Sequence, residues 1–148
     1  MTPRKGSGQF ARIVDALYAV EGKLTEPDYL EVLWQVAAHK RRSLVIIFTD
    51  VMDEINETLF ASLAELRRRH LVLVLFVGDS DTVSLAETPP SDSEKLFRQA
   101  TAIQVLADRG RTIAKLKKTG VLVSDVLPNQ LTPALINKYL EIKKTGRL

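Results

Sequence analysis

Residues 41–54 read RRSLVIIFTDVMDE, and this stretch decides the fold class. A basic pair leads into an apolar run at residues 44–48, which stops at Thr49-Asp50 before an acidic turn. A second run, LVLVLFV at residues 71–77, is apolar throughout. Strands without polar alternation are typical of a parallel sheet that helices cover on both faces.

The segments around these two strands read as helices. A third, short strand is predicted at residues 121–124, and residues 80–90 are predicted to form a loop. Because helices separate the strands, the connections are crossovers and the sheet is parallel. We therefore predict an α/β fold: a single three-layer αβα domain over residues 1–148 with about three parallel strands. The stretches with helical spacing of apolar residues begin near Ser7, Thr25, Glu54, Ser91 and Thr132.

Two of these helices carry specific packing expectations. In the second, Trp34 is expected to be buried against the sheet beside Leu30 and Leu33. The fourth is long, and its opening residues 91–94 match a capping box. The residues expected to face the core from this long helix are Leu96, Ala100, Ile103, Leu106 and Ile113.

Composition narrows the class of protein. Of the 148 residues, 45% are hydrophobic and 26% are charged, as in ordinary globular proteins. The absence of cysteine excludes disulfides and thiolate metal sites. No apolar run approaches the roughly 18 residues of a membrane span, and no signal-peptide core follows the first residues. We therefore predict a cytoplasmic location and no membrane contact by this segment.

Basic residues are clustered at the ends of the predicted helices. Cations there complement the helix dipole, and no aromatic residues punctuate the clusters as they do in many nucleic-acid sites. We therefore predict no nucleic-acid partner, although the net charge is +3. The clusters are Lys40-Arg41-Arg42, Arg67-Arg68-Arg69, Lys115 with Lys117-Lys118, and Lys143-Lys144 with Arg147.

Carboxylates follow each predicted strand. Asp50 and Asp53 come after the first strand, Asp79 after the second and Asp125 after the third. Ligands of open α/β sheets bind outside the carboxyl ends of the strands, and oxygen-only ligands suit Mg²⁺, Mn²⁺ or Ca²⁺. Asp is also a common helix N-cap and turn residue, so a structural role is the alternative at these positions.

Other catalytic signals are sparse. The sequence contains no nucleophile elbow, Walker loop or Rossmann glycine pattern. His39 and His70 lie beside basic runs at helix ends and are expected to be surface histidines. No basic partner is conspicuous near the carboxylates, because the Lys and Arg clusters fall at the helix ends.

Five stretches of the chain together resemble a known family. They are GQFARIVDALYAVE, EPDYLEVL, RRSLVIIFTDVMDE, LRRRHLVLVLFVGD and TPALINKYLEIKKTGRL. They resemble the C-terminal half of the bacterial family called domain of unknown function 58, and the likeness covers essentially the whole sequence. The resemblance implies a von Willebrand factor type A-like domain, which is a doubly wound parallel sheet with a metal-ion-dependent adhesion site on its carboxyl rim.

That adhesion site has three parts in the family, and this chain matches one of them. Asp50 matches the Asp that follows the fourth strand, and Thr49 precedes it as the family pattern expects. The Asp-x-Ser-x-Ser loop is absent, and the middle Thr has no clear equivalent. The resemblance thus implies the second half of such a domain, with Asp50 as the remnant of an incomplete metal site. Thr49, Asp53 and Asp79 are the other rim candidates.

The resemblance implies a protein-interaction module without catalysis of its own. Its partner would be a MoxR-type AAA+ ATPase, and full-length relatives often carry membrane segments upstream. We expect no cofactor in this chain, and Mg²⁺ only in a full-length domain. The alternative function is a Mg²⁺-dependent phosphoryl-transfer or hydrolase domain that uses Asp50 and Asp79.

A homodimer is also predicted. In the resembling fold the sheet order is 3-2-1-4-5-6 and residues 44–48 form the fourth strand, whose neighbouring first strand is missing here. A strand patterned for a central position is then left at an edge, which is a template for pairing with another chain. We predict a two-fold dimer through this edge, or exchange of the two leading helices over the same surface. The edge residues are Leu44, Val45, Ile46, Ile47 and Phe48.

Overall fold

The computed structural model describes residues 7–21, 28–50 and 57–146, so the predicted helix starts at Thr25 and Glu54 lie outside the described residues. None of the helices in the described ranges is long and apolar enough to cross a membrane. The helices are α1 (Ser7–Tyr18), α2 (Tyr29–Ala37), α3 (Glu57–Arg69), α4 (Ser80–Glu87), α5 (Ser93–Lys118) and α6 (Leu131–Lys144). The strands are β1 (Leu44–Thr49), β2 (Leu71–Val77) and β3 (Leu122–Val126), and a 3₁₀ turn, Pro128–Gln130, precedes α6.

The strands form a parallel sheet in the order β1-β2-β3. Leu44 pairs with Leu71 at one end of β1, and Leu73 pairs with Leu122 at the start of β3. The predicted α/β class and three-stranded parallel sheet are therefore confirmed. β2 is the central strand, and residues 71–76 are between 0% and 6% exposed, because β2 has neighbours on both edges and helices on both faces.

Alternate residues of the strands point to two separate cores. On the first face, which we call the α3–α5 face, side chains of β2 pack against α2, α3 and α5. On the opposite face, the α6 face, β2 packs against the last helix. The buried residues of the first core are Leu33, Leu59, Leu63, Leu66, Val72, Val74, Phe76, Ile113, Leu116 and Val121. Those of the second core are Leu73, Leu75 and Val126.

Aspartates begin three of the helices. Asp28 accepts a hydrogen bond from the Glu31 N–H at the start of α2, and Asp92 accepts one from the Lys95 N–H at the start of α5. The N-cap of α5 is thus Asp92 and not Ser91, the residue that the capping-box pattern indicated. Asp79 caps α4, a helix in the region predicted to be a loop. The loop prediction was wrong because an N-cap at Asp79 lets the chain enter a helix directly after β2.

The predicted burial of Trp34 is wrong. Its side chain is 75% exposed, whereas its neighbour Leu33 is buried in the core of the α3–α5 face. A helix of nine residues turns a narrow stripe toward the core, and adjacent residues on a helix lie about 100° apart. Leu33 takes the inward position, so Trp34 is turned toward the outer groove between α2 and α3.

His70 is another correction, because it lies inside the protein and not on the surface. It follows α3 directly, and its side chain is 1% exposed. Neither ring nitrogen has a hydrogen-bond partner among the described residues. The His39 ring lies beside it, with the two ring centroids 6.5 Å apart. The His70 side chain is buried because this single residue connects α3 to the central strand β2.

We expect Leu33→Ala to destabilise the fold far more than Trp34→Ala. Leu33→Ala should lower the free energy of unfolding by about 2–5 kcal/mol, as for other buried leucines. Trp34→Ala removes an exposed side chain and should change it by less than about 0.5 kcal/mol. Urea unfolding of the two variants checks this, and a larger loss for Trp34→Ala would contradict the placement of α2.

Candidate functional site

The carboxyl ends of the three strands open into one cleft of about 450 Å³. Its polar side chains come from the ends of β1 and β2, from β3, and from the helices α4 and α5. Its apolar wall includes Val105 of α5, whose side chain is 49% exposed. This is the position where open α/β sheets bind ligands, as the sequence predicted. The polar residues of the cleft are Asp50, Asp79, Thr82, Arg109, Asp125 and Gln130.

Asp50 lies where the sequence placed it, immediately after β1 and on the rim of the cleft. Its side chain is exposed, and no hydrogen bond to it is found within the described ranges. Thr49 is the last residue of β1 and is partly buried. Asp53 lies outside the described residues. Among the described residues of the cleft, Asp50 is thus a carboxylate that accepts no hydrogen bond from the protein.

Asp79 lines the same cleft, but both of its carboxylate oxygens are engaged by α4. One oxygen accepts the Asp81 N–H, at 3.0 Å, and the other accepts the Thr82 N–H and the Thr82 hydroxyl, at 3.1 and 2.7 Å. The hydrogen bond from the Thr82 hydroxyl and those from the two N–H groups hold the pKa of Asp79 below its ordinary value of 3.8. The structural alternative, an N-cap, is thus the observed role of this residue.

Asp125 is paired with a buried arginine of α5. Arg109 is 8% exposed, and its Nη2 and Nε donate to Asp125 Oδ1 at 2.6 and 3.1 Å. Its Nη1 lies 3.5 Å from the Val77 carbonyl oxygen, and its Cζ lies 5.7 Å from the centroid of the Phe76 ring. Asp125 belongs to β3 and pairs in register with Phe76, which brings the carboxylate to the guanidinium. The pair ties α5 to two strands at the cleft.

Arg109 is the basic residue that sequence reasoning failed to find near the carboxylates. The buried positions of α5 recur at helical spacing, and Arg109 occupies one of them. Its spacing from the apolar residues of this stripe is the signal that the sequence offers. The predicted inward stripe of α5 is only partly correct: Leu96 and Ile103 are exposed, whereas Ile113 is buried as expected. The buried residues of α5 are Ala102, Arg109, Ile113 and Leu116.

Gly78 allows the close packing of the cleft floor. Its N–H donates to the Val126 carbonyl at 2.8 Å, which continues the link between β2 and β3 beyond the end of β2. A Cβ atom at this position would lie 3.3 Å from Leu127 Cδ2 and 3.6 Å from Arg109 Nη2. A side chain here would therefore be tight against Leu127 and in ordinary contact with Arg109.

The described residues do not fit a divalent-cation site. Both oxygens of Asp79 and one oxygen of Asp125 are already hydrogen-bonded within the protein, which leaves Asp50 as the carboxylate with both oxygens available. Within the described ranges, no group of three or more His, Asp or Glu side chains is placed to hold a metal ion. Hard cations such as Mg²⁺ need several oxygen ligands at once.

Comparison of the chain with models of protein families, with curated proteins and with solved structures gives no significant match in any of the three. The family resemblance therefore stays a prediction.

The pKa of Asp79 gives the cap a defined dependence on pH. Because that pKa is lower in the folded chain, the cap stabilises the fold above the ordinary Asp value. The contribution is lost as the pH falls through the folded-state pKa. Asp79→Ala should lower the urea midpoint at neutral pH and have little effect in strong acid. Asp81→Ala is the matched control, because Asp81 lies in the same turn without capping through its carboxylate. Equal losses in both variants would contradict this role.

The Arg109–Asp125 pair should behave as a coupled unit. Asp125→Ala leaves the guanidinium buried without its carboxylate and should cost about 1–3 kcal/mol, less than a fully buried pair because Asp125 is half exposed. Adding Arg109→Met removes the unpaired charge and should recover part of that loss. Urea unfolding of both single variants and the double variant measures the coupling energy. Additive losses would show that the two side chains do not interact.

Proposed function

We propose that the chain is a non-catalytic protein-interaction module and that its cleft at the carboxyl edge of the sheet receives another protein. The observation that carries this proposal is that the exposed carboxylate of Asp50 and the exposed apolar side chain of Val105 face the same cleft. Apolar contact area with a polar rim is the composition of protein interfaces.

The other polar groups of the cleft support a recognition role because they hold its shape. Asp79 is committed to α4, and Asp125 is committed to Arg109, so the rim is kept rigid by hydrogen bonds inside the chain. Preformed surfaces bind with a smaller loss of conformational entropy. Asp50 then supplies a charge at the opening that a partner can recognise.

The partner that the sequence resemblance implies is a MoxR-type AAA+ ATPase, and the fold that it implies is part of a von Willebrand factor A-like domain. Two observations agree with that fold: the three strands are parallel, and Asp50 directly follows β1. We propose the ATPase as the partner of the cleft on this basis.

The competing function is Mg²⁺-dependent phosphoryl transfer or hydrolysis by Asp50 and Asp79. The two residues do line one cleft, as that function requires. The capping hydrogen bonds of Asp79 favour the interaction module, because its oxygens would have to leave α4 to bind a metal ion. Hydrolysis of a phosphate ester that needs Mg²⁺ and is lost in Asp50→Ala would support the enzyme instead.

Binding of the purified chain to a purified MoxR-type ATPase from the same organism tests the proposal. We expect Asp50→Arg and Val105→Glu each to weaken the affinity at least tenfold, or about 1.4 kcal/mol. The first reverses the recognised charge, and the second places a charge on the apolar contact surface. Phe97→Glu is the control, since Phe97 is an exposed apolar residue of the same helix outside the cleft.

Absence of binding to the ATPase would contradict the proposed partner. Binding that all three variants retain would place the interface elsewhere on the chain. Circular dichroism of each variant establishes that the fold is intact before affinities are compared.

A further inference from the structure

One edge of β1 pairs with β2, and no strand of the described ranges pairs with its other edge. The Ser43 carbonyl accepts the Leu71 N–H at 2.9 Å, and Val45 pairs in register with Val72. Alternate residues of a parallel strand direct their N–H and C=O groups to opposite sides. The backbone N–H and C=O groups of Ser43, Val45 and Ile47 therefore point toward β2.

Leu44, Ile46 and Phe48 direct their backbone groups to the open side, where no hydrogen bond to them is found among the described residues. Such a row of donors and acceptors is a template for another strand. The apolar side chains of Ile13, Leu17 and Tyr18 in α1 are exposed, so these three residues do not cover the edge.

We propose that this edge pairs with the same edge of a second copy of the chain, antiparallel, about a two-fold axis that passes through Ile46. The two three-stranded sheets then become one six-stranded sheet. This dimer shares Asp50 with the cleft at the carboxyl rim, so dimerisation is measured on the purified chain without the ATPase. Val105 lies in the cleft but not on this edge, so Val105→Glu separates the two proposals.

The backbone restricts the register. Residues that pair by exchanging hydrogen bonds across an antiparallel edge must both direct their groups outward. With the axis at Ile46, Leu44 of one copy lies opposite Phe48 of the other, and Ile46 lies opposite itself. All three outward-facing residues of β1 then find partners. An axis midway between two residues would oppose an outward-facing residue with an inward-facing one, and it is excluded.

Charge selects among the registers that remain. With the axis at Ile46, Arg42 of one copy lies opposite Asp50 of the other at both ends of the pairing. Moving the axis to Val45 places Lys40 opposite Asp50 and the charge of Arg42 opposite Phe48. Moving it to Ile47 places Asp50 opposite Leu44. The register centred on Ile46 is thus the one that matches both apolar with apolar and basic with acidic residues.

The exposed side chains of β1 fit the same register. Phe48 is 51% exposed, although Leu44 and Ile46 on the same side of the strand pack partly against the α6 core. Residues directly opposite in an antiparallel pair lie on the same face of the sheet. Phe48 would therefore be covered by Leu44 of the second copy, which continues the apolar surface of the α6 face across the axis.

Sedimentation equilibrium of the purified chain across micromolar concentrations is the first test. We expect a reversible monomer–dimer equilibrium, and a chain that remains monomeric at high micromolar concentration would overturn the proposal. Ile46→Pro removes an N–H that faces the second copy, so it should abolish the dimer and leave a folded monomer. Ile47→Pro removes an N–H that faces β2 and should disrupt the fold itself.

Charge reversal tests the register. Arg42→Asp should weaken dimerisation roughly tenfold, because it opposes two carboxylates at each end of the pairing. Asp50→Arg should do the same by opposing two guanidinium groups. The double variant, Arg42→Asp with Asp50→Arg, restores opposite charges and should recover the affinity of the natural sequence. Failure of the double variant to recover would overturn the register.

Lys40→Asp is the control, because Lys40 is basic and exposed but has no acidic residue opposite it in this register. It should leave the dimerisation constant unchanged. A loss for Lys40→Asp with no loss for Arg42→Asp would move the axis to Val45 and contradict the proposed pairing.

Discussion

Burial of β2 on both faces and both edges is the constraint on which the rest of the structure depends. A strand with no polar residue from Leu71 to Val77 cannot face water on either side, so helices must cover both faces. The crossovers that deliver those helices make the strands parallel, and parallel strands end at the same edge of the sheet. The burial of β2 therefore determines the edge of the sheet at which the cleft and its carboxylates lie.

The helix α5 connects this core to the cleft. Its inward side is apolar except at Arg109, which reaches the carboxyl ends of the strands and lies over Phe76. A charge in that position is tolerated because Asp125 compensates it and because the ring of Phe76 provides a favourable surface for the cation. The Arg109–Asp125 pair covers the end of the apolar core and also supplies polar groups to the cleft that begins there.

The features that could be predicted from the sequence are those that depend on local patterns. Unbroken apolar runs indicated the parallel strands, and the position of Asp50 after β1 followed from them. Features that depend on the rotation of a helix against the sheet were missed. Leu33 and Trp34 are neighbours in an apolar stripe, and which of them turns inward is set by contacts with α3 that the stripe does not specify.

The same limit applies to α5 and to His70. Apolar residues are spread around α5, so the prediction placed Ile103 in the core because it is apolar and left out Arg109 because it is charged. In the structure Arg109 is buried instead, where it pairs with Asp125 on a distant strand. The burial of His70 depends on the tight turn from α3 into β2. The sequence gives no indication that the His70 ring lacks a hydrogen-bond partner within the described residues.

The unequal lengths of the two crossovers have a consequence for the order of folding. Residues 50–70 separate β1 from β2, whereas residues 78–121, about twice as many, separate β2 from β3. The entropic free-energy cost of closing the longer connection is greater by about 0.6 kcal/mol. The more local unit is thus the one formed by β1, α3 and β2. Until β3 and α6 follow, one edge of β2 and its α6 face are open to water. The chain is therefore most vulnerable to aggregation during synthesis in the interval between emergence of β2 and arrival of α6.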